Sequence, residues 1–332
     1  MTVSERTAVL LLAHGTPDAL NDIPEYLRNV TSGRSLPQAA IDEITHRYSL
    51  IGKSPLTDIT MAQAHLLEQH LDMHVYVGMR NWKPYITNVV RQMRADGISS
   101  AAAICLAPQN SRTSVGLYRR AVLAEAGHDL AVDFTEAWAD HPLLIEAFAE
   151  RLRSKYRELI ADLSHAIPVL FTAHSVPCRT IQAASTATEP RTLAAAGGPD
   201  PYAIEAKRTA ALVAAQLQTE GLRDGDWFFA FQSQGISGGP WIGPTVEETL
   251  SALRNAGHTT VIIQPIGFLC DHVEILYDID IAFRDFGKQV GLRVERTESL
   301  NESPTLTLAL ADLAQRATAR LAARSSAAVP IP

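Results

Sequence analysis

The chain is sparing with cysteine, with aromatic residues and with net positive charge. Its three cysteines, Cys105, Cys178 and Cys270, are odd in number and lack CxxC spacing, which excludes a disulfide framework and leaves too few ligands for a zinc or iron–sulfur cluster. Any metal chemistry must use other side chains. Lys and Arg number 29 against 36 Asp and Glu, a formal charge of −7, and no block of five or six like charges occurs. The electrostatic footprint of a nucleic-acid binder is therefore missing. Apolar runs such as Ala8 to Ala13 and Ala101 to Ala107 fall far short of the roughly 20 residues needed to span a bilayer. The start, Met1-Thr2-Val3-Ser4-Glu5-Arg6, lacks the basic opening and cleavage site of a secretory leader, so the chain is expected in the cytoplasm.

What is present suits a globular protein. The 332 residues are 46% hydrophobic and 20% charged, and that length suggests two domains. Short runs rich in Val, Ile and Leu alternate with stretches of helical spacing, the pattern of βαβ units around buried parallel sheets. The runs predict strands near 8–13, 74–78, 101–106, 130–134, 167–173, 227–232 and 259–266, with a short one near 292–296. Helical spacing covers 18–30, 37–47, 57–71, 84–95, 112–126, 141–161, 202–219, 245–256, 272–288 and 303–323.

The fold class is α/β, and the two halves look alike in plan. Each opens on a strand ending in Ala-His, Leu10 to His14 and Leu170 to His174, followed by a turn at Pro17 or Pro177. The boundary is placed near helix 141–161, giving an N-terminal domain 1–150, a C-terminal domain 151–325 and a tail 326–332. Ala183 to Pro201, dominated by Ala, Ser, Thr, Gly and Pro, reads as a loop insertion, and Ser325 to Pro332 as a frayed end.

In open parallel sheets, ligands bind beyond the carboxyl ends of the strands. His14 and His174 both fall there, either as structural histidines or as site residues. A second signal is Gln264 to Glu274, a strand that turns through Gly267 into a helix. Asp271 and Glu274 have capping-box spacing, so Glu274 either returns a hydrogen bond to the helix start or points into the cleft. Asp278 follows one turn on, so an acidic stripe could hold or pass a divalent cation, and two carboxylates with an imidazole suit Fe²⁺, Co²⁺ or Zn²⁺. The Gly-rich segment Phe231 to Pro244 has neither the Lys of a phosphate loop nor a GxGxxG entering a helix, which leaves nucleotide binding and NAD-dependent oxidation unsupported. Trp241 within it is either a packed surface residue or a rigid wall for a flat ligand. Arg47, Tyr48 and Ser54 supply groups that could meet ligand carboxylates.

Taken together, these pieces resemble the ferrochelatase family, whose members insert ferrous iron into a porphyrin. The matching residues run from Ala13-His14-Gly15-Thr16-Pro17 through Arg47-Tyr48, Ser54-Pro55-Leu56, Tyr76-Val77-Gly78-Met79-Arg80, Ala107-Pro108-Gln109 and Thr172-Ala173-His174-Ser175-Val176-Pro177. They continue through Asp200-Pro201-Tyr202, Gln232-Ser233, Pro240-Trp241-Ile242-Gly243-Pro244 and Gly267 to Glu274-Ile275-Leu276-Tyr277-Asp278 and Glu298-Ser299-Leu300-Asn301.

The resemblance implies two similar Rossmann-like domains with a cleft for the macrocycle between them. It implies His174 and Glu274 as the catalytic pair, facing each other from opposite halves across a gap wide enough for a tetrapyrrole. Metal is expected at His174, Glu274 and Asp278, and porphyrin contacts at His14, Arg47, Tyr48, Ser54, Tyr118 and Trp241, with His14 beneath the ring. The chain departs from its relatives in having His14 where Tyr or Met is common, and Ala282 where some carry a further carboxylate. Iron is expected as a substrate, with no tightly bound cofactor and no iron–sulfur cluster. The chain is expected to act as a monomer. The short stretch from Thr31 to Pro55 lacks an apolar lip, and the Gln232 to Trp241 stretch resembles coproporphyrin-using members. Coproporphyrin III is therefore the expected substrate and protoporphyrin IX the alternative. A cobalt chelatase and a non-enzymatic heme-binding protein are the competing readings.

Overall fold

In a computed structural model, the described residues are 6–162, 167–181, 200–235 and 239–327. The predicted loop insertion at 183–201 lies almost wholly outside them, as do 328–332. The elements are β1 Thr7–Ala13, α1 Ile23–Val30, α2 Gln38–Ile51, α3 Leu56–Leu71, β2 Val75–Met79, α4 Ile86–Ala95, β3 Ser100–Cys105, α5 Val115–Ala126, β4 Ala131–Thr135 and α6 Pro142–Asp162. They continue as β5 Val169–His174, α7 Cys178–Ile181, α8 Tyr202–Gln216, β6 Trp227–Gln232, α9 Val246–Asn255, β7 Thr260–Pro265, α10 Val273–Leu276, α11 Arg284–Val290, β8 Arg293–Arg296 and α12 Pro304–Ala327.

Two four-stranded sheets form, in the orders β2-β1-β3-β4 and β6-β5-β7-β8, and every pairing is parallel. The two orders are one topology used twice, with β5 occupying in the second sheet the place of β1 in the first. Strands covered by helices on both faces must be apolar throughout. Ala8 to Leu12 accordingly have no exposed surface. Alternation along β1 still sorts its side chains by face. Val9, Leu11 and Ala13 join a large core that also holds Phe148, Phe171, Val213 and Leu310, whereas Leu10 and Leu12 pack with Val90, Met93 and Val122 under α4 and α5. That large core draws on both halves and welds them together. A third cluster, built on Leu170, Leu250 and Ile279, covers the outer face of the second sheet.

Two features differ from the sequence-based expectation. The last helix, assigned by position to the C-terminal domain, lies across β3 and β4 of the first sheet. Its apolar face carries Leu306, Leu310 and Ala314 into the shared core, and Arg320 and Arg324 reach the buried Asp133 on β4 at 2.6 and 3.1 Å. A buried carboxylate needs such partners, and they tie the chain's end to its beginning. The helix also runs to Ala327, so Ser325 and Ser326 are helical and the expected tail at 326 begins inside α12.

The helix expected over 272–288 is interrupted. Between α10 and α11 the backbone widens into a π-helical turn, Asp278–Phe283, with the Ala282 N–H donating to the Tyr277 carbonyl at 2.9 Å. Among the described residues, no helix is long and apolar enough to cross a membrane.

Candidate active site

The carboxyl ends of β1 and β5 open on one cavity of about 360 Å³, lined by both halves. This volume lies within the usual range for small-molecule sites. His14, Tyr48, Tyr118, His174, Trp241 and Glu274 all line it.

His174 closes β5, and Glu274 sits in the first turn of α10, beyond the end of the neighbouring strand β7. The imidazole Nε2 is 3.2 Å from Glu274 Oε1, and about a third of each side chain's surface stays open (34% and 31%). The two residues therefore touch and belong to the same half, in place of the expected confrontation across a gap. Adjacent parallel strands deliver both to one wall, and the facing histidine from the other half is His14. His174 Nδ1 meets the Ser175 carbonyl, which Tyr202 supports by donating its hydroxyl to the His174 carbonyl at 3.0 Å. Burial pushes the His174 imidazole pKa down, but the Glu274 charge and hydrogen bond, with the Ser175 carbonyl, outweigh it and hold it up at about 9. Glu274 is the converse: burial raises it, and His174 and then His272 bring it well below the usual carboxylate range. The pair is thus an ion pair at neutral pH.

Glu274 does not cap its helix. Its Oε2 lies 3.3 Å from His272 Nε2, while the Gln232 side-chain amide donates to its backbone carbonyl at 2.7 Å. Asp271, the other half of the supposed capping box, accepts from Ser299 at 2.7 Å and Asn301 at 3.0 Å. Arg296 adds a third contact at 3.3 Å and grips Asp280 in the π-helical turn at 2.8 Å. The loop before Glu274 and the turn after it are thereby held by one arginine.

His14 follows the last residue of β1. Burial, helped by the Arg80 charge, drives its imidazole down to about 3, so it is neutral at neutral pH. Tyr48 donates to or accepts from Thr16 at 3.2 Å, and burial pushes its phenol up to about 12. Tyr118 is buried beneath the Arg80 guanidinium, 5.2 Å from its ring centre, and burial raises its phenol as well. Trp241 is carried by a short antiparallel bridge to Pro177, three residues beyond His174.

Three expected site residues do not line the cavity. Arg47 pairs with Glu43 at 2.9 Å, lies 3.6 Å from Asp278 and stacks 5.0 Å from the Tyr277 ring centre. Ser54 is fully buried. Asp278 accepts from the Ser233 hydroxyl, and burial lifts its carboxyl to about 6 against the pull of Ser233 and Arg47. Among the described residues, no group of three or more His, Cys, Asp or Glu side chains has the geometry to hold a metal ion, so the expected trio of His174, Glu274 and Asp278 is not assembled. A buried carboxylate takes the nearest donors, and for Asp278 these are Ser233 and Arg47.

Sequence reasoning gave no site role to Arg80, Tyr26, Tyr202 or His272, which also line the cavity, although Arg80 and Tyr202 stand in the segments that carry the family resemblance. Arg80 had a usable signal, since it directly follows β2 at the carboxyl edge of the first sheet.

Gly267 follows β7 where the chain crosses β5. A Cβ there would stand 2.9 Å from both Cα and Cβ of Ala173, atoms that cannot swing aside. Gly267→Ala is expected to lower stability by about 1–3 kcal/mol, read as a shifted urea midpoint; an unchanged midpoint would show that the strand ends separate freely.

A family model described as Ferrochelatase matches residues 6–318. The chain belongs to the ferrochelatase family. Among its relatives, a ferrochelatase of Acidobacterium capsulatum is 60% identical over 322 residues, covering 97% of each chain. A coproporphyrin III ferrochelatase of Geobacillus thermodenitrificans is 31% identical, covering 94% of this chain and 96% of its own. The solved structure of SirB from Bacillus subtilis with Fe3+ shares the fold at a TM-score of 0.58 and 11% identity, covering 96% of this chain and 98% of that one. This ferrochelatase is thus an enzyme of heme biosynthesis, a lyase that inserts iron into a porphyrin. Membership excludes the non-enzymatic heme carrier as the primary reading.

Proposed function

We propose that this ferrochelatase inserts Fe²⁺ into coproporphyrin III, with the macrocycle lying between His14 and the His174–Glu274 pair. The observation that carries the reading is that pair, in contact at 3.2 Å and open to a cavity lined by both halves. Insertion exchanges two pyrrole protons for one metal ion, so the site must take up protons and receive a cation. Glu274 is the metal-receiving group and His174 the proton acceptor. His174 is charged while Glu274 is free, so it becomes a base only when an arriving cation takes over the carboxylate and the imidazolium releases its own proton to the solvent to which it is partly open. Burial then favours the neutral imidazole. Proton acceptance is thereby tied to the presence of iron.

Distorting the ring exposes the nitrogen lone pairs, at a strain of about 1–5 kcal/mol offset by contacts at the periphery. Trp241 and Tyr118 are placed for that grip. Polar lining at Gln63, Gln109, Ser111, Thr113 and Arg80 suits a porphyrin with many carboxylates. The reading takes iron as substrate, needs no bound cofactor, and treats one chain as the working unit because the cavity is built within it. The three cysteines are free thiols, in keeping with the reducing cytoplasm.

Anaerobic Fe²⁺ insertion run in parallel with coproporphyrin III and protoporphyrin IX tests the substrate. A higher kcat/KM for coproporphyrin III is expected. Preference for protoporphyrin IX would overturn the choice of porphyrin while leaving the chemistry in place.

A further inference from the structure

Nothing in the proposed mechanism uses the segment Glu298-Ser299-Leu300-Asn301, or Arg296 just before it. Arg296 ends β8, in register with Ile263 of β7, and its side chain is only 12% exposed. It does not line the cavity. Its guanidinium forks onto Asp280, from Nε to Oδ1 at 2.9 Å and from Nη2 to Oδ2 at 2.8 Å. Nη1 donates instead to Asp271 Oδ1 at 3.3 Å and to the Thr297 carbonyl at 3.0 Å. The two carboxylates flank Glu274, one before it and one after it in the chain. The backbone between them has little means of holding itself. α10 is four residues long, well below the length at which a helix is stable alone, and the turn that follows it is π-helical. Asp271 is tied to the loop after β8 as well: its N–H donates to Asn301 Oδ1 at 2.9 Å, and its carboxylate accepts from Ser299 and Asn301. The Asn301 carbonyl in turn accepts from the Gln63 amide at 2.7 Å, a residue of the first half that lines the cavity.

We propose that Arg296 is a positioning residue for iron insertion: by bridging Asp271 and Asp280 it holds the Glu274 carboxylate against His174 at the cavity wall. The inference rests on the reading of Glu274 as the metal-receiving group. The bridge fastens both ends of the Glu274 segment to a strand of the second sheet, a firmer support than a single helical turn. Without the guanidinium, the two part-buried carboxylates lose their shared countercharge and move toward water, taking the segment with them. The Gln232 amide, which holds the Glu274 carbonyl at 2.7 Å, fixes one point of the backbone and leaves the segment free to turn about it. Lysine is no substitute, because an ammonium lacks the planar fork that meets two carboxylates at once. Arg296 itself meets neither iron nor porphyrin.

The test is anaerobic steady-state insertion of Fe²⁺ into coproporphyrin III by the full chain carrying Arg296→Met, with porphyrin affinity read separately by fluorescence quenching. The KM for Fe²⁺ should rise and kcat fall, together lowering kcat/KM by about 10–100-fold, the usual range for loss of a group that orients a metal ligand. Coproporphyrin III should bind as it does to wild type. Arg296→Lys should recover only part of the loss. Asp280→Asn should raise the KM for Fe²⁺ by less, and adding it to Arg296→Met should cost nothing further, because both changes break one bridge. Should Arg296→Met fail to fold, Asp280→Asn carries the test. A fall in kcat with the KM for Fe²⁺ unmoved marks a merely structural loss of active enzyme and overturns the proposal. Full recovery by lysine, additive losses in the double variant, or porphyrin affinity falling in step with the rate overturns it too. Glu274→Gln, measured alongside, separates this inference from the reading beneath it. A large effect of Glu274→Gln with none from Arg296→Met defeats the positioning role alone, whereas an Fe²⁺ dependence untouched by Glu274→Gln defeats Glu274 as the metal-receiving group.

Discussion

Replacing His174 by alanine slows iron insertion by about 10²–10⁴, the usual range for loss of a general base, while coproporphyrin III still binds. The side chain ends β5 with Nε2 turned to Glu274, so its removal takes away the proposed proton acceptor beside the proposed metal-receiving carboxylate. The cavity walls proposed to hold the macrocycle come from other elements: Tyr48 on α2, Tyr118 on α5, Trp241 after β6 and His14 after β1. Anaerobic single-turnover insertion, followed by the Soret shift, gives the rate, and quenching of porphyrin fluorescence gives the affinity. Wild-type insertion by the variant would remove His174 from the mechanism. Loss of porphyrin binding in step with the rate would make it a binding residue instead.

Glu274→Gln should change the same histidine in a way that can be seen without turnover. His174 is held at about 9, so at pH 7 the ring is protonated. The sign follows from the opposing causes. Burial disfavours the imidazolium and lowers the value, while the Glu274 charge and hydrogen bond, with the Ser175 carbonyl and Asp278, favour it and together outweigh burial. Glutamine keeps the shape and removes the charge, taking away the largest of the raising causes, so the His174 titration should fall from about 9. Nuclear magnetic resonance of the ring protons against pH measures it directly. The iron rate should fall as well, because the cation loses its receiving group. A His174 titration unmoved by the substitution would show that the pair is not coupled, and that iron binding does not free the base.

Much of the architecture was legible before any coordinates. The apolar runs at 8–13, 101–106 and 259–266 became β1, β3 and β7 within a residue or two, because strands buried on both faces are apolar without interruption and no other element is so short and so apolar. The Ala-His repeat at 13–14 and 173–174 marked the two equivalent strand ends, and both histidines reached the cavity. What failed was reasoning from spacing across a helix start. Glu274 and Asp278 are four residues apart, which on a regular helix places them on one face. Here Asp278 opens the π-helical turn and is taken by Ser233 from the end of β6 and by Arg47 from α2. Those partners are 45 and 231 residues distant in the chain, and no local pattern announces them.

The sequence by itself determined the parts whose cause is local: the order of strands and helices, the parallel sheets, and the residue types at the strand ends. The tertiary structure alone decided which of those residues meet. It placed His174 and Glu274 on one wall and His14 on the other, drew Arg47 and Asp278 together, added Arg80 and His272, and returned α12 to the first sheet. The physical reason is that burial and pairing act across space. A carboxylate removed from water takes whichever donors the packing brings within reach, and only the folded chain establishes which those are.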